Sequence, residues 1–307
     1  KNRSLKDGFF LSQMEFDSYI GIDWSGDKNK YQKGISVAKC LKGDKAPQII
    51  NPTEKYWTRS SLISWLVKEV SKEKILVGFD FSFSYPFYDQ SSFFPGLKDS
   101  PVNILNLWKL IETLNVEYNN FYGGGIWNID PYKNFYNAPS SKGKLYSSRR
   151  RLTEIHAKAM IHSPSPTFNC VGPGAVGTGS IAGMRILNFL KNKVCIWPFE
   201  EIVPFKKSIV VEIFPTFYYR LANVKPIKDL GYTLENINKA LNFFKSKPLP
   251  NNLEIKGPDQ DDADSIISSA ALRFFSEILL SFNNQRILSF FCFKICIQTL
   301  NISGVIF

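Results

Sequence analysis

Residues 18–24 read Ser-Tyr-Ile-Gly-Ile-Asp-Trp (SYIGIDW), an apolar run that carries one aspartate and stops at the turn signal Ser25-Gly26. That pattern fits a buried strand followed by a turn. Alternation along a strand puts Tyr19, Gly21 and Asp23 on one face. A second run, Ile75–Phe81 (ILVGFDF), is unbroken in its hydrophobicity apart from Asp80, as expected of a central strand covered on both faces. A third, Ser208–Phe214 (SIVVEIF), carries Glu212 and is stopped by Pro215. A carboxylate in a core strand is costly to bury unless it is paired or bound to a metal. One such acid alone reads best as a strand end pointing into water. Three, each in its own core strand, favour a shared site.

Between the first two of these runs, Lys33–Cys40 alternates as a strand and Pro47–Ile50 forms a short third. Ser60–Val70 then has apolar residues at helical spacing behind a serine, the pattern of an amphipathic helix. The order is strand, strand, strand, helix, strand, not the alternating rhythm of a doubly wound sheet. It predicts an α/β fold of RNase H-like type: a mixed sheet of three antiparallel strands, a helix and further parallel strands, flanked by helices.

Residues 84–205 break the rhythm with Pro, Gly and aromatic clusters. Helices are expected near Val102–Leu114, Arg149–Ile161 and Met184–Leu190. The segment reads as a large insertion or cap within a single domain spanning 14–281. Leu234–Phe244 is expected to be helical, as is Asp259–Phe275, whose first turn is acidic and suits the helix dipole. Residues 1–13 read as sequence upstream of the fold, while 282–307 fit either a terminal strand or helix or a tail with no folded role.

The last helix opens Asp261-Asp262-Ala263-Asp264-Ser265. Asp261 and Asp264, three apart, project from one face. An acidic first turn is common in helices and explains the acids by itself. It does not explain the small residues that follow (Ser265, Ser268, Ser269, Ala270, Ala271), which let a helix lie close against a sheet. The expected site therefore gathers Asp23, Asp80 and Asp264 as core ligands, with Asp261 and Glu212 in support. Oxygen-only donors of this kind suit Mg²⁺ or Mn²⁺. Two such ions about 3.5–4 Å apart can activate water and stabilise the leaving oxygen of a phosphodiester.

Gly21-Ile22-Asp23 and Asp261-x-x-Asp264-Ser265 together resemble the RNase H-like superfamily. The helix motif is similar to that of RuvC-type Holliday junction resolvases. Closer still is a family catalogued as domain of unknown function four-two-nine. That likeness rests on Gly21-Ile22-Asp23, on Phe79-Asp80-Phe81-Ser82-Phe83 with Pro86, on Glu212-Ile213-Phe214-Pro215 and on Asp261–Ser265, and covers most of residues 18–275. Ser265 departs from the alanine usual there. The resemblance implies the fold and, by analogy, a nuclease.

The chain carries 38 Lys and Arg against 27 Asp and Glu, a formal charge of +11. A basic surface favours polyanions, so DNA or RNA is the expected partner. Candidate phosphate contacts are Arg149, Arg150 and Arg151, although such a run is more often a solvated helix face. Gly177 and Thr178 form another, in a glycine-rich loop leading into a helix. The loop also matches GxGxxG over Gly172–Gly177. Pro164 and Pro166 spoil the strand that a dinucleotide site needs. Aromatic residues around Gly123-Gly124-Gly125 (Phe121, Tyr122, Trp127, Tyr132, Phe135, Tyr136) could stack on bases, with ordinary packing the better reading for most.

Five cysteines without a CxxC pair fit a reduced, cytoplasmic protein. Cys292 and Cys296 read as buried inert thiols. Two histidines leave little room for a histidine-based hydrolase or zinc enzyme. The run Ile287–Ile297 is too short to span a bilayer, which needs about 20 residues. Two rival functions stand beside the nuclease. An actin-like or sugar-kinase-like ATPase also opens on a glycine-flanked aspartate strand, but needs a duplicated domain that the chain does not show. A nonenzymatic nucleic-acid-binding module could keep the fold without turnover.

Overall fold

The computed structural model describes residues 15–160, 164–202, 208–257 and 260–281. Expectations for residues 1–13 and 282–307, Cys292, Cys296 and the run Ile287–Ile297 among them, lie outside the described residues. The rest divides into two compact units. One holds residues 15–25, 31–80, 193–202, 208–257 and 260–281, and the other 26–30, 81–160 and 164–192.

The first unit is built on a six-stranded mixed sheet, in the order β3-β2-β1-β4-β6-β5. Its strands are β1 (Ser18–Asp23), β2 (Ser36–Leu41), β3 (Gln48–Ile49), β4 (Ile75–Phe79), β5 (Cys195–Ile196) and β6 (Ile209–Glu212). β1, β2 and β3 are antiparallel, while β1, β4, β6 and β5 run parallel. The fold is thus α/β with three antiparallel strands, a helix and then parallel strands. β1 and β4 are buried along their whole length, as two adjacent central strands must be.

Helix α1 (Arg59–Lys72) connects β3 to β4. It starts earlier than the serine at 60 suggested, because Thr58 caps it. The Thr58 hydroxyl accepts from Ser61 N–H at 2.9 Å, and Ser61 Oγ accepts from Thr58 N–H at 3.0 Å. This reciprocal box satisfies two end donors. Lys39 on β2 pairs with Glu69 of α1 and with Glu73 just past its end, which places α1 on the face shared by Lys39, Ile20 and Ile22.

The opposite face is covered by the last helix of the described chain, which follows two shorter ones in this unit. The register sets Gly21 of β1 beside Gly78 of β4, leaving a strip without side chains. The long helix lies on that strip. A Cβ on Gly21 would stand 2.4 Å from the carbonyl oxygen of Ser265 and 2.7 Å from the amide nitrogen of Ser269. Ser265, Ser268, Ser269, Ala270 and Ala271 are all fully buried there. The small-residue stripe is therefore the surface that lets helix backbone touch strand backbone.

The second unit contains α2 (Ile104–Leu114), α3 (Leu152–Met160) and α4 (Gly177–Leu190). Of the segment 84–205, residues through 192 belong to this unit together with 26–30 and 81–83, while Cys195–Ile196 is the edge strand of the sheet in the first unit. α4 starts seven residues before the expected Met184. Its glycines serve close packing, since a Cβ on Gly183 would meet the Phe81 ring at 2.3 Å. Arg185 clamps α4 to α2 through two bonds to Glu112, at 2.8 and 3.0 Å. Tyr85, Phe94, Tyr136 and Phe168 form an aromatic core, with Tyr85 and Tyr136 hydroxyls 2.8 Å apart. Trp127, Phe135 and Tyr136 are buried by packing. The described cysteines, Cys40, Cys170 and Cys195, are buried and form no disulfide with one another. Among the described residues no helix is long and apolar enough to cross a membrane.

In the first unit, chain order after β6 gives α5 (Pro215–Leu221), α6 (Leu234–Phe243) and α7 (Asp261–Ser281). Pro215, expected only to stop the strand, also opens α5 from its first turn, where a missing N–H costs nothing.

Candidate functional site

Asp23 is the last residue of β1 and is 9% exposed. Asp80 follows the last residue of β4, and its N–H donates to the Ile22 carbonyl at 3.0 Å, continuing the ladder by one step. The two acids therefore end neighbouring parallel strands side by side. Their alternation is that of Gly21 and Gly78, so both stand on the α7 face.

α7 supplies the other acids, and the structure assigns each of its first-turn carboxylates a different job. Asp262 is a clasp: its Oδ1 accepts from Ser36 Oγ at 2.6 Å and its Oδ2 from Lys256 N–H at 3.0 Å. Ser36 pairs with Asp23 across β1 and β2, and its Oγ also lies 2.9 Å from Ser265 Oγ. These bonds pin the helix start to the end of β1. Asp261, one residue before it, and Asp264, two residues after, both act on Asp23 at the end of β1. Asp261 is 7% exposed and sits in a cradle of glycine backbone. A Cβ on Gly257 would fall 1.9 Å from its Oδ2, and one on Gly34 3.2 Å from its Oδ1.

Four carboxyl groups crowd together as a result. Burial first, then the negative charges of Asp264, Asp80 and Asp261, hold the Asp23 carboxyl well above the usual carboxylate range. Interaction with the Asp261 side chain pushes Asp23 further in the same direction. Burial likewise raises Asp80, followed by the charges of Asp264 and Glu212.

Glu212 is the last residue of β6. It pairs with Phe79 in the β4–β6 register, and alternation sends it to the face opposite Gly78 and Asp80. Its charge nevertheless reaches Asp80.

No family model, curated protein or solved structure matches the chain. What the site can do must be read from its own residues. As the side chains stand, no three Asp, Glu, His or Cys groups among the described residues are arranged to hold a metal ion. The donor set is nonetheless all oxygen, and its charges oppose one another at close quarters.

Residues that sequence reasoning missed hold this arrangement. Arg59, fully buried, donates to the Ser25 carbonyl through Nε and Nη2 at 3.1 and 2.9 Å and to Gln32 Oε1 at 3.0 Å. Its guanidinium also lies over Trp24, fixing the turn that leaves Asp23. Tyr219 and Tyr232 stack at 3.7 Å beside the acids; only the long-range fold brings them there.

The candidate phosphate contacts belong to the second unit. Arg149, 8% exposed, forms a two-bond fork with Asp89 and donates to the carbonyls of Pro86, Ser92 and Phe93. Arg150 donates to the Pro164 carbonyl, and Arg151 binds Glu154 and Ser82. At the start of α4, the backbone at Gly26 lies so close that a Cβ there would stand 2.3 Å from the Gly179 amide nitrogen. Gly177 is pressed against Asn169 and Cys170. These groups are integral to the packing of that unit.

Proposed function

We propose that the chain is an RNase H-like, divalent-metal-dependent phosphodiester hydrolase acting on DNA or RNA in the cytoplasm. The observation that carries the reading is the convergence of Asp23, Asp80, Asp261 and Asp264 on one end of the sheet, with charges that oppose one another's ionisation. Such a cluster is stable at neutral pH only with protons or a cation among the carboxylates. Asp23, Asp80, Asp261 and Asp264 would hold Mg²⁺ or Mn²⁺, which supplies an activated water and charge stabilisation for phosphodiester cleavage.

The chain's own residues then divide the work. Asp262, Ser36 and Ser265 hold α7 in register with β1, so the helix acids stay opposite the strand acids. Arg59 fixes the turn behind Asp23. A bound cation would offset the charges that oppose ionisation of Asp23 and Asp80, so that both could serve as anionic ligands. The formal charge of +11 supports a polyanionic substrate.

The test is cleavage of single- and double-stranded DNA and RNA with Mg²⁺ or Mn²⁺, comparing wild type with Asp80→Asn and Asp264→Asn. Metal-dependent cleavage lost in both variants is the expected result. Nucleic-acid binding with no cleavage under any metal would refute the hydrolase and favour a binding module.

A further inference from the structure

Tyr219 on α5 is fully buried, and its hydroxyl has no hydrogen-bond partner among the described residues. A buried donor left unbonded destabilises a fold, whereas phenylalanine would fill the same space without that penalty. Its position gives the hydroxyl a use. The charges of Asp264 and Asp23 both act on it, so it borders the carboxylate cluster. The acids come near enough to be felt, yet none accepts its proton.

The ring is placed with some care. It stacks on Tyr232, with the ring planes 10° apart. Tyr232 is in turn tied to the start of α7 by Gln260. Its N–H donates to Gln260 Oε1 at 2.6 Å, and Gln260 Nε2 donates back to the Tyr232 and Leu230 carbonyls at 3.1 and 3.2 Å. The Gln260 carbonyl accepts from Ala263 N–H at 2.7 Å, inside the first turn that carries Asp261 and Asp264. The tyrosine pair and the acids are thus built onto one another.

We infer that Tyr219 is a substrate-contacting residue of the carboxylate site, its phenolic O–H donating to a nonbridging oxygen of a bound phosphate group. The inference rests on the hydrolase reading above. A cluster of carboxylates offers only acceptors to a phosphate, which is itself all acceptor. A neutral donor at its border supplies what the acids cannot.

The experiment compares wild type with Tyr219→Phe by thermal shift, first with Mg²⁺ alone and then with inorganic phosphate added at saturating Mg²⁺. The variant is expected to melt at the same temperature or higher and to respond equally to Mg²⁺. Its apparent phosphate affinity should be about 10- to 100-fold weaker, the loss of one hydrogen bond to a charged group. Equal phosphate response in both proteins, or a wild type that responds to Mg²⁺ but not to phosphate, overturns the role of Tyr219 and leaves the metal site standing. A wild type that ignores Mg²⁺ overturns both.

Discussion

Replacing Gly21 by alanine should damage the fold and the site together. The added Cβ would lie 2.4 Å from the Ser265 carbonyl oxygen, 2.7 Å from the Ser269 amide nitrogen and 2.9 Å from the Ser268 Cβ. Ordinary contact begins near 3.4 Å, so α7 must lift from β1 by about 1 Å. The obstacles are largely helix backbone, which cannot rotate away as a side chain does. Overpacking of this kind costs about 1–3 kcal/mol, and alanine returns about 0.4–1 kcal/mol through the unfolded chain. A net loss of about 1–1.5 kcal/mol is expected, read as a lower urea midpoint at unchanged slope. The same lift carries Asp261 and Asp264 away from Asp23, so stabilisation by Mn²⁺ should fall as well. Gly78→Ala is the control. Its Cβ would meet the methyl groups of Ile213 and Leu272, which can turn aside, and its cost should be smaller. A Gly21→Ala protein within about 0.5 kcal/mol of wild type, with its metal response intact, would refute the claim that backbone contact at Gly21 sets the site.

Without metal, Asp23→Asn should stabilise the protein, because it removes a buried charge from among three others and keeps an acceptor for the Trp24 N–H, now 3.0 Å from Oδ1. At an effective dielectric of about 20 and separations of roughly 5–10 Å, one such repulsion is worth about 2–3 kcal/mol; a lower melting temperature in chelator would contradict this. The pH dependence has a fixed sign. Asp23 and Asp80 are raised in the folded state, so their contribution is fully present below the unfolded value of about 3.9 and is lost as pH rises through their folded range. Metal-free wild type should therefore gain stability relative to Asp23→Asn as pH drops from 8 toward 5, and parallel melting curves would count against the crowded cluster. Arg149→Ala should cost about 2–3 kcal/mol in denaturant unfolding by stripping donors from Asp89 and three carbonyls. It should leave the salt dependence of nucleic-acid binding unchanged; a shallower salt slope would return Arg149 to the list of phosphate contacts.

Much of the sheet was legible because its strands are fully buried and its acids interrupt otherwise apolar runs. Gly21 and Asp23 share a face by alternation alone, and the spacing of Asp261 and Asp264 fixes their common direction. The small residues after Asp264 foretold a close helix, which the contact at Gly21 shows. Other features depend on register, which sequence periodicity does not contain. Alternation within β6 could not reveal that Glu212 lies on the far face, since that follows from its pairing with Phe79. The two-residue strand at Cys195 is too short to show any period. Arg149-Arg150-Arg151 looked like a charged face because nothing local announces that Asp89, Pro86, Ser92 and Phe93 surround Arg149. Tyr219 hides behind Pro215, which reads as a stop, and meets Tyr232 only through the Gln260 tether. Gly177 and Thr178 begin a helix, as a glycine-rich loop can, but the approach of Gly26 is invisible in the local sequence.

The central claim is that Asp23, Asp80, Asp261 and Asp264 form one cation site, and a melting titration with Mn²⁺ and Mg²⁺ tests it most directly. A cation that binds only the folded protein stabilises it by about 2.7 kcal/mol at one hundred times its dissociation constant. Wild type should melt progressively higher as either cation is added, while Asp23→Asn and Asp264→Asn, both folded, should not respond. A wild type indifferent to both cations, or variants that respond as wild type does, would contradict the account.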